Sequence, residues 1–145
     1  GELVRAEEPI PELSYEEISS EEEEEKEKSW WELLEDGRED EALTLLVQRT
    51  LSMDDRGLLR NYLKSKDEKK VAFVCRAARE CNWRSFVVAL RKAFGHPSAA
   101  VRIEAVTSIG MLAGPSMSPA VHLLFGDPDT QVRTAARKAY QKMRR

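Results

Sequence analysis

The sequence predicts an all-α fold of stacked helical hairpins, and three observations predict it. A nine-residue segment, Phe94-Gly95-His96-Pro97-Ser98-Ala99-Ala100-Val101-Arg102, returns 31 residues later as Phe125-Gly126-Asp127-Pro128-Asp129-Thr130-Gln131-Val132-Arg133, with Ala105 over Ala136, Ile109 over Tyr140 and Ser85 over Ser116. Such a period marks units that cannot bury their apolar faces alone and must stack on neighbours. Apolar residues from Trp30 onward recur at spacings of three and four between capping residues, while no stretch alternates with period two long enough to argue a strand.

The elements follow in order. Ser29-Trp30-Trp31-Glu32 has capping-box form, and Gly37 is placed to end the short helix it starts. Ala42, Leu43, Leu45, Leu46 and Val47 form an apolar stripe through about residue 51. Ser52-Met53-Asp54-Asp55 opens a helix that buries Leu58, Leu59, Tyr62 and Leu63, and Ser65 with Glu68 opens the next, carrying Val71, Val74, Cys75 and Ala78. Asn82 or Trp83 starts a helix with Phe86, Val87, Leu90 and Phe94, stopped by Gly95. Pro97, in the first turn, introduces Val101, Ala105, Ile109 and Leu112. Pro115 and Pro119 bracket a shorter helix with Val121, Leu124 and Phe125, and a final helix from Pro128 carries Val132, Ala136, Tyr140 and Met143. The result is eight helices in four hairpins, about 29–52, 54–81, 83–113 and 116–143.

Charge divides the chain unevenly. Residues 1–28 hold twelve acids, all Glu, against Arg5, Lys26 and Lys28, a net of −9; the rest carries +6, so the formal net of −3 averages two opposite halves. Pro9, Pro11 and the block Glu21 to Glu25 make 1–28 an acidic tail, with at most a frayed helix after Ser14, and 29–145 the helical domain. No run approaches the roughly 18 apolar residues of a membrane helix, and no signal-peptide pattern is present. Starting at Gly1 instead of Met is expected of a cleavage scar or a fragment, which leaves room for an anchor or a further domain outside it. Cys75 and Cys81 lie about 240° apart round a helix, so they do not pair there and read as small hydrophobes in a reducing, cytoplasmic compartment.

These residues resemble the HEAT repeat, a pair of antiparallel helices with an Asp-x-x-x-x-Val-Arg pattern across the turn into its second helix. Asp127 to Arg133, followed by Ala136, fits the pattern; His96 to Arg102, followed by Ala105, fits with His96 in place of the Asp. A third, weaker copy has Val71 and Cys75, with Ala72 where the Arg belongs, and hairpin 29–52 fits by length and apolar pattern alone. The resemblance implies a right-handed α-solenoid of about four hairpins, whose second helices line a concave face. It also implies a structural ladder in which Arg102 and Arg133 join neighbouring repeats, Asp127 being the partner of Arg102.

Candidate chemistry is sparse. His96 and His122 have no second ligand at metal spacing, so no metal or cofactor is expected; His122 reads as a satisfied structural histidine. No glycine lies in a phosphate-loop context, and the repeated His-Glu pairs of the HEAT-like hydroxylase are missing. A non-catalytic role is the expectation. Helix 128–145 carries Arg133, Arg137, Lys138, Lys142, Arg144 and Arg145 against Asp129, and Arg76 and Arg79 add charge in the middle. Two readings stay open: solvated faces favoured by the helix dipole, or an electropositive groove for an acidic or amphipathic protein segment. Nucleic acid phosphate is the alternative ligand, as in HEAT-like DNA glycosylases, although Trp83 is the only Trp of the basic region available to stack on bases. Residues 12–28 are either a plain linker or a segment that folds back on the basic face. Trp30 and Trp31 point about 100° apart, so one caps the apolar end and the other is a partly exposed cap or an aromatic anchor for a partner.

Overall fold

The computed structural model describes residues 28–144, so all of the acidic tail and of its 12–28 segment except Lys28, and Arg145, lie outside the described residues. The described residues form eight α-helices with four 3-10 segments and no strand. The helices are α1 (Trp30–Glu35), α2 (Glu39–Val47), α3 (Met53–Tyr62), α4 (Glu68–Glu80), α5 (Val87–Arg91), α6 (Ala99–Leu112), α7 (Ser118–Leu123) and α8 (Thr130–Met143). The chain divides into two compact units, Gly1–Ala42 and Leu43–Arg145, the boundary falling within α2.

In the first unit, Ser29 caps α1: its hydroxyl accepts the Glu32 N–H, and the Glu32 carboxylate accepts the Ser29 N–H. These hydrogen bonds, first that of the Ser29 backbone, hold the Glu32 carboxyl below its usual range. Gly37 adopts φ +79°, a left-handed turn that lets Arg38 N–H reach Leu33 O at 2.8 Å and stops the helix. Arg38 then forks onto Glu41 at the start of α2, with both hydrogen bonds at 2.7 Å.

The second unit repeats itself. Three boundaries recur 31 residues apart: α5 and α7 start at Val87 and Ser118, α6 and α8 at Ala99 and Thr130, and the 3-10 turns that follow the short helices end at Gly95 and Gly126. The start of α4 at Glu68 lies one more period upstream of that of α6. Each shorter helix packs on the long helix that follows it, α3 on α4, α5 on α6 and α7 on α8, and α6 packs against both α4 and α8. Inter-helix hydrogen bonds join Glu68 to Ser98 at the starts of α4 and α6 and Arg79 to Ser108 further along both, so these helices run the same way. The core gathers around them: Leu59, Val71, Phe73, Val74, Phe86, Leu90, Val101, Val106, Ile109, Val121 and Val132 are essentially inaccessible.

Four local expectations change. The cap of α4 is Asp67, whose carboxylate accepts the Lys69 N–H, while Ser65 supports the turn before it; a carboxylate at the helix start outcompetes the hydroxyl two residues earlier. No α-helix starts at Asn82 or Trp83. Asn82 is left-handed (φ +58°), and a 3-10 turn, Arg84–Phe86, intervenes before α5. Pro97 and Pro128 each stand just before the N-caps Ser98 and Asp129, outside the first turn. Val47 is exposed, so the apolar stripe of α2 narrows to Ala42, Leu43 and Leu46.

Candidate functional site

The turn that enters each long helix is built on one acceptor. Ser65 Oγ accepts the N–H of Asp67 at 2.9 Å, His96 Nδ1 that of Ser98 at 3.0 Å, and Asp127 Oδ1 that of Asp129 at 2.9 Å. A hydroxyl, an imidazole and a carboxylate thus share a role at 31-residue intervals. Because His96 Nδ1 accepts, its proton sits on Nε2, which is buried without a hydrogen-bond partner among the described residues. One period after His96, the Asp127 side chain has a second task. Arg102 donates from Nε and Nη2 to its two carboxylate oxygens at 2.9 and 3.0 Å, while Arg102 Nη1 donates to His96 O at 2.8 Å. The pair is largely buried, with side chains 14% and 5% exposed. Desolvation pushes the Asp127 carboxyl upward, but the Arg102 hydrogen bond and the Asp129 N–H outweigh it and hold it below the usual carboxylate range.

Between α4 and α6 the link is different. Arg79 Nη1 donates to Glu104 Oε1 at 2.7 Å and to Ser108 Oγ at 3.0 Å, and Ser108 donates onward to Cys75 O at 2.5 Å. Arg76 pairs with Glu80 on its own helix. Burial pushes the Cys75 thiol up to about 12 and that of the half-exposed Cys81 to about 11, as inert small side chains require.

Between α6 and α8 the helices touch at Gly110: a Cβ there would lie 2.6 Å from the Cβ of Ala139. Alongside runs an open groove of about 470 Å³ with Ile103, Thr107 and Ala135 in its lining and Lys138 and Lys142 among its walls. A second groove, about 320 Å³, lies between α3 and α5 and presents Arg60, Lys64 and Lys92 around Leu63 and the exposed Val88. The sequence reading did not single out Arg60 or Lys64; their i, i+4 spacing was the available signal.

The other expected binding residues are placed as follows. Arg133 turns back onto its own helix entry, donating to Asp127 O at 2.6 Å and Thr130 Oγ1 at 2.9 Å. Arg137 lies over the Phe125 ring at 4.6 Å and Arg144 over Tyr140 at 5.5 Å. His122 is exposed, stacked against Phe125 and Tyr140 instead of held in a core. In the first unit Trp30 is fully buried and Trp31 is 41% exposed, their rings edge to face at 5.5 Å. The geometry therefore brings Lys138 and Lys142 together at one groove and distributes the arginines among structural partners.

Among the described residues no group of three or more His, Cys, Asp or Glu side chains stands ready to hold a metal ion, and no helix is long and apolar enough to cross a membrane. The arrangement offers cationic, partly apolar troughs suited to binding. Compared with family models, curated proteins and solved structures, the chain matches none.

Proposed function

We propose that this chain is a non-catalytic protein-interaction module, a scaffold or adaptor built as a right-handed solenoid of hairpins similar to HEAT repeats, which binds an acidic or amphipathic segment of a partner. The repeat reading draws support from the 31-residue recurrence of helix boundaries and entry turns and from α4, α6 and α8 lying side by side. The observation that carries the binding reading is the groove between α6 and α8, with a partly apolar lining flanked by Lys138 and Lys142 and opposed by no carboxylate in its lining. An acidic segment with one apolar face fits such a trough, its carboxylates meeting ammonium groups while its apolar side covers Ile103 and Ala135. The reducing cytoplasmic setting belongs to the same proposal and rests on the two unpaired thiols.

Fluorescence anisotropy with a labelled Glu-rich amphipathic peptide tests it. Lys138→Glu with Lys142→Glu should weaken binding by about tenfold or more, since two favourable charges become repulsive. A chain beginning at Ser29 should bind more tightly if residues 1–28 compete for the groove, and equally if they are a linker. Retention of single-stranded DNA in preference to the peptide, with affinity falling steeply as salt rises, would replace this reading with nucleic-acid binding.

A further inference from the structure

The short helices turn one repeated face outward. Leu59, Leu90 and Val121, one period apart, are inaccessible, so α3, α5 and α7 meet the core in the same register. Positions 57, 60, 61 and 64, which share a face of α3 and its following turn, are exposed, and so are their equivalents one and two periods on. These twelve positions hold Arg60, Lys64, Arg91 and Lys92 and no carboxylate. Of the acids that flank them in the sequence, Asp55 and Asp127 are buried against Arg49 and Arg102, Asp67 and Asp129 cap α4 and α8, and Asp54 stands in the first turn of α3. None of the four cations has an ion pair among the described residues, and Arg60 lies over the Phe86 ring at 4.7 Å.

The same face exposes aliphatic side chains. Val88 is 70% and Leu123 is 73% accessible. Val88 stands beside Arg60, Lys64 and Lys92 in the groove between α3 and α5, and Leu123 occupies the position of Lys92 one period later. Each short helix packs on the long helix that follows it, and α6 packs against both α4 and α8, which sets the three outward faces in a row. A phosphodiester backbone would meet the cations and leave the aliphatic area unused. A bilayer surface meets both, because its anionic headgroups lie directly above acyl chains.

We propose that the outward face of α3, α5 and α7 docks on an anionic lipid surface, with headgroups against Arg60, Lys64, Arg91 and Lys92 and with Val88 and Leu123 reaching the acyl boundary. Such a face lies on the bilayer without crossing it, and among the described residues no helix is long and apolar enough to cross. Screening at physiological salt confines the attraction to about 8 Å, so the charge of this face governs the contact and the formal net of −3 for the whole chain does not. The groove of Lys138 and Lys142 lies between the long helices α6 and α8 and is no part of this face.

Cosedimentation of the full chain with vesicles of phosphatidylserine and phosphatidylcholine tests the contact, with pure phosphatidylcholine vesicles as the control. The chain should pellet with the anionic vesicles and stay in solution with the control. Lys64→Glu with Lys92→Glu should weaken partition about tenfold or more, each change turning an attraction into a repulsion. Val88→Ser with Leu123→Ser keeps every charge and removes aliphatic area at exposed positions, so helix content by circular dichroism should hold while partition falls about fivefold. No pelleting with the anionic vesicles, or equal pelleting with the control, would overturn the proposal. A serine variant that pellets like the native chain would do so too, and retention of duplex DNA through Lys64 and Lys92 would then make the face a phosphate-backbone site. Vesicle binding lost in Lys138→Glu with Lys142→Glu, but kept in Lys64→Glu with Lys92→Glu, would move the contact to the other groove and equally overturn it.

Discussion

The two seams flanking α6 solve the same packing problem by opposite means. Arg79 on α4 and Gly110 on α6 occupy equivalent positions, one period apart. Toward α4 that position is a long cation, and the helices are joined by a polar bridge through Glu104, Ser108 and the carbonyl of Cys75. Toward α8 the position has no side chain, the backbones close until Gly110 meets Ala139, and the polar link moves to the Arg102–Asp127 pair at the helix entry. At the corresponding place in the other seam His96 stands where the Asp would be, and Val71 or Ala72 where the Arg would be. Among the described residues each seam thus has one ion pair, Arg79–Glu104 in one and Arg102–Asp127 in the other.

The largest effect should come from filling the close seam. Gly110→Leu forces α6 and α8 apart against backbone as well as side chain, and should cost about 3 kcal/mol in urea unfolding, the upper end for overpacking. An unchanged midpoint would mean that the seam is not tight. Next, Asp127→Asn keeps an acceptor for the Asp129 N–H but leaves the largely buried Arg102 without its counter-charge; a loss of about 2 kcal/mol is expected. Ser108→Ala, in the bridged seam, removes one buried donor and one acceptor and should cost about 1 kcal/mol, less than either change in the other seam.

Acid separates the seams by a smaller margin. The Asp127 carboxyl lies lower in the folded chain than the roughly 3.9 of an unfolded Asp. Its contribution is therefore complete above about pH 4 and is lost as pH falls through the folded value, because the unfolded chain takes up the proton first. The urea midpoint measured from pH 7 to pH 2 should fall more steeply at the acid end for the native chain than for Asp127→Asn. Parallel curves would remove the pair from the acid response.

Much of this was legible in the sequence where the physics is local. The caps at Ser29 and Ser52 and the stop at Gly37 follow from hydroxyls, carboxylates and a glycine a few residues apart. Arg102 and Asp127, linked in the sequence by the repeat alone, meet at 2.9 and 3.0 Å. The third copy was harder to register. Val71 and Cys75 suggested a spacing of 30, whereas the entry turns of Ser65, His96 and Asp127 recur at 31. What they share is a lone pair at one point in space, which no comparison of residue names detects. The binding surface was least legible. Clustered Arg and Lys gave a total charge, but whether each cation was spent on a neighbour depended on how side chains meet in space, some of them on other helices, as Glu104 for Arg79 and Phe125 for Arg137. Lysines 138 and 142 face a groove because of where α6 lies, which their own helix does not encode.

Being covered by α4 along one flank and α8 along the other has a kinetic consequence for α6. Peeling it away means opening two interfaces at once. Hydrogen exchange there should require cooperative unfolding of the unit, while α5 and α7, each of six residues or fewer and framed by 3-10 turns, should exchange through smaller fluctuations. The unit would then breathe from its short helices inward, and its slowest protons would time its lifetime as a folded body.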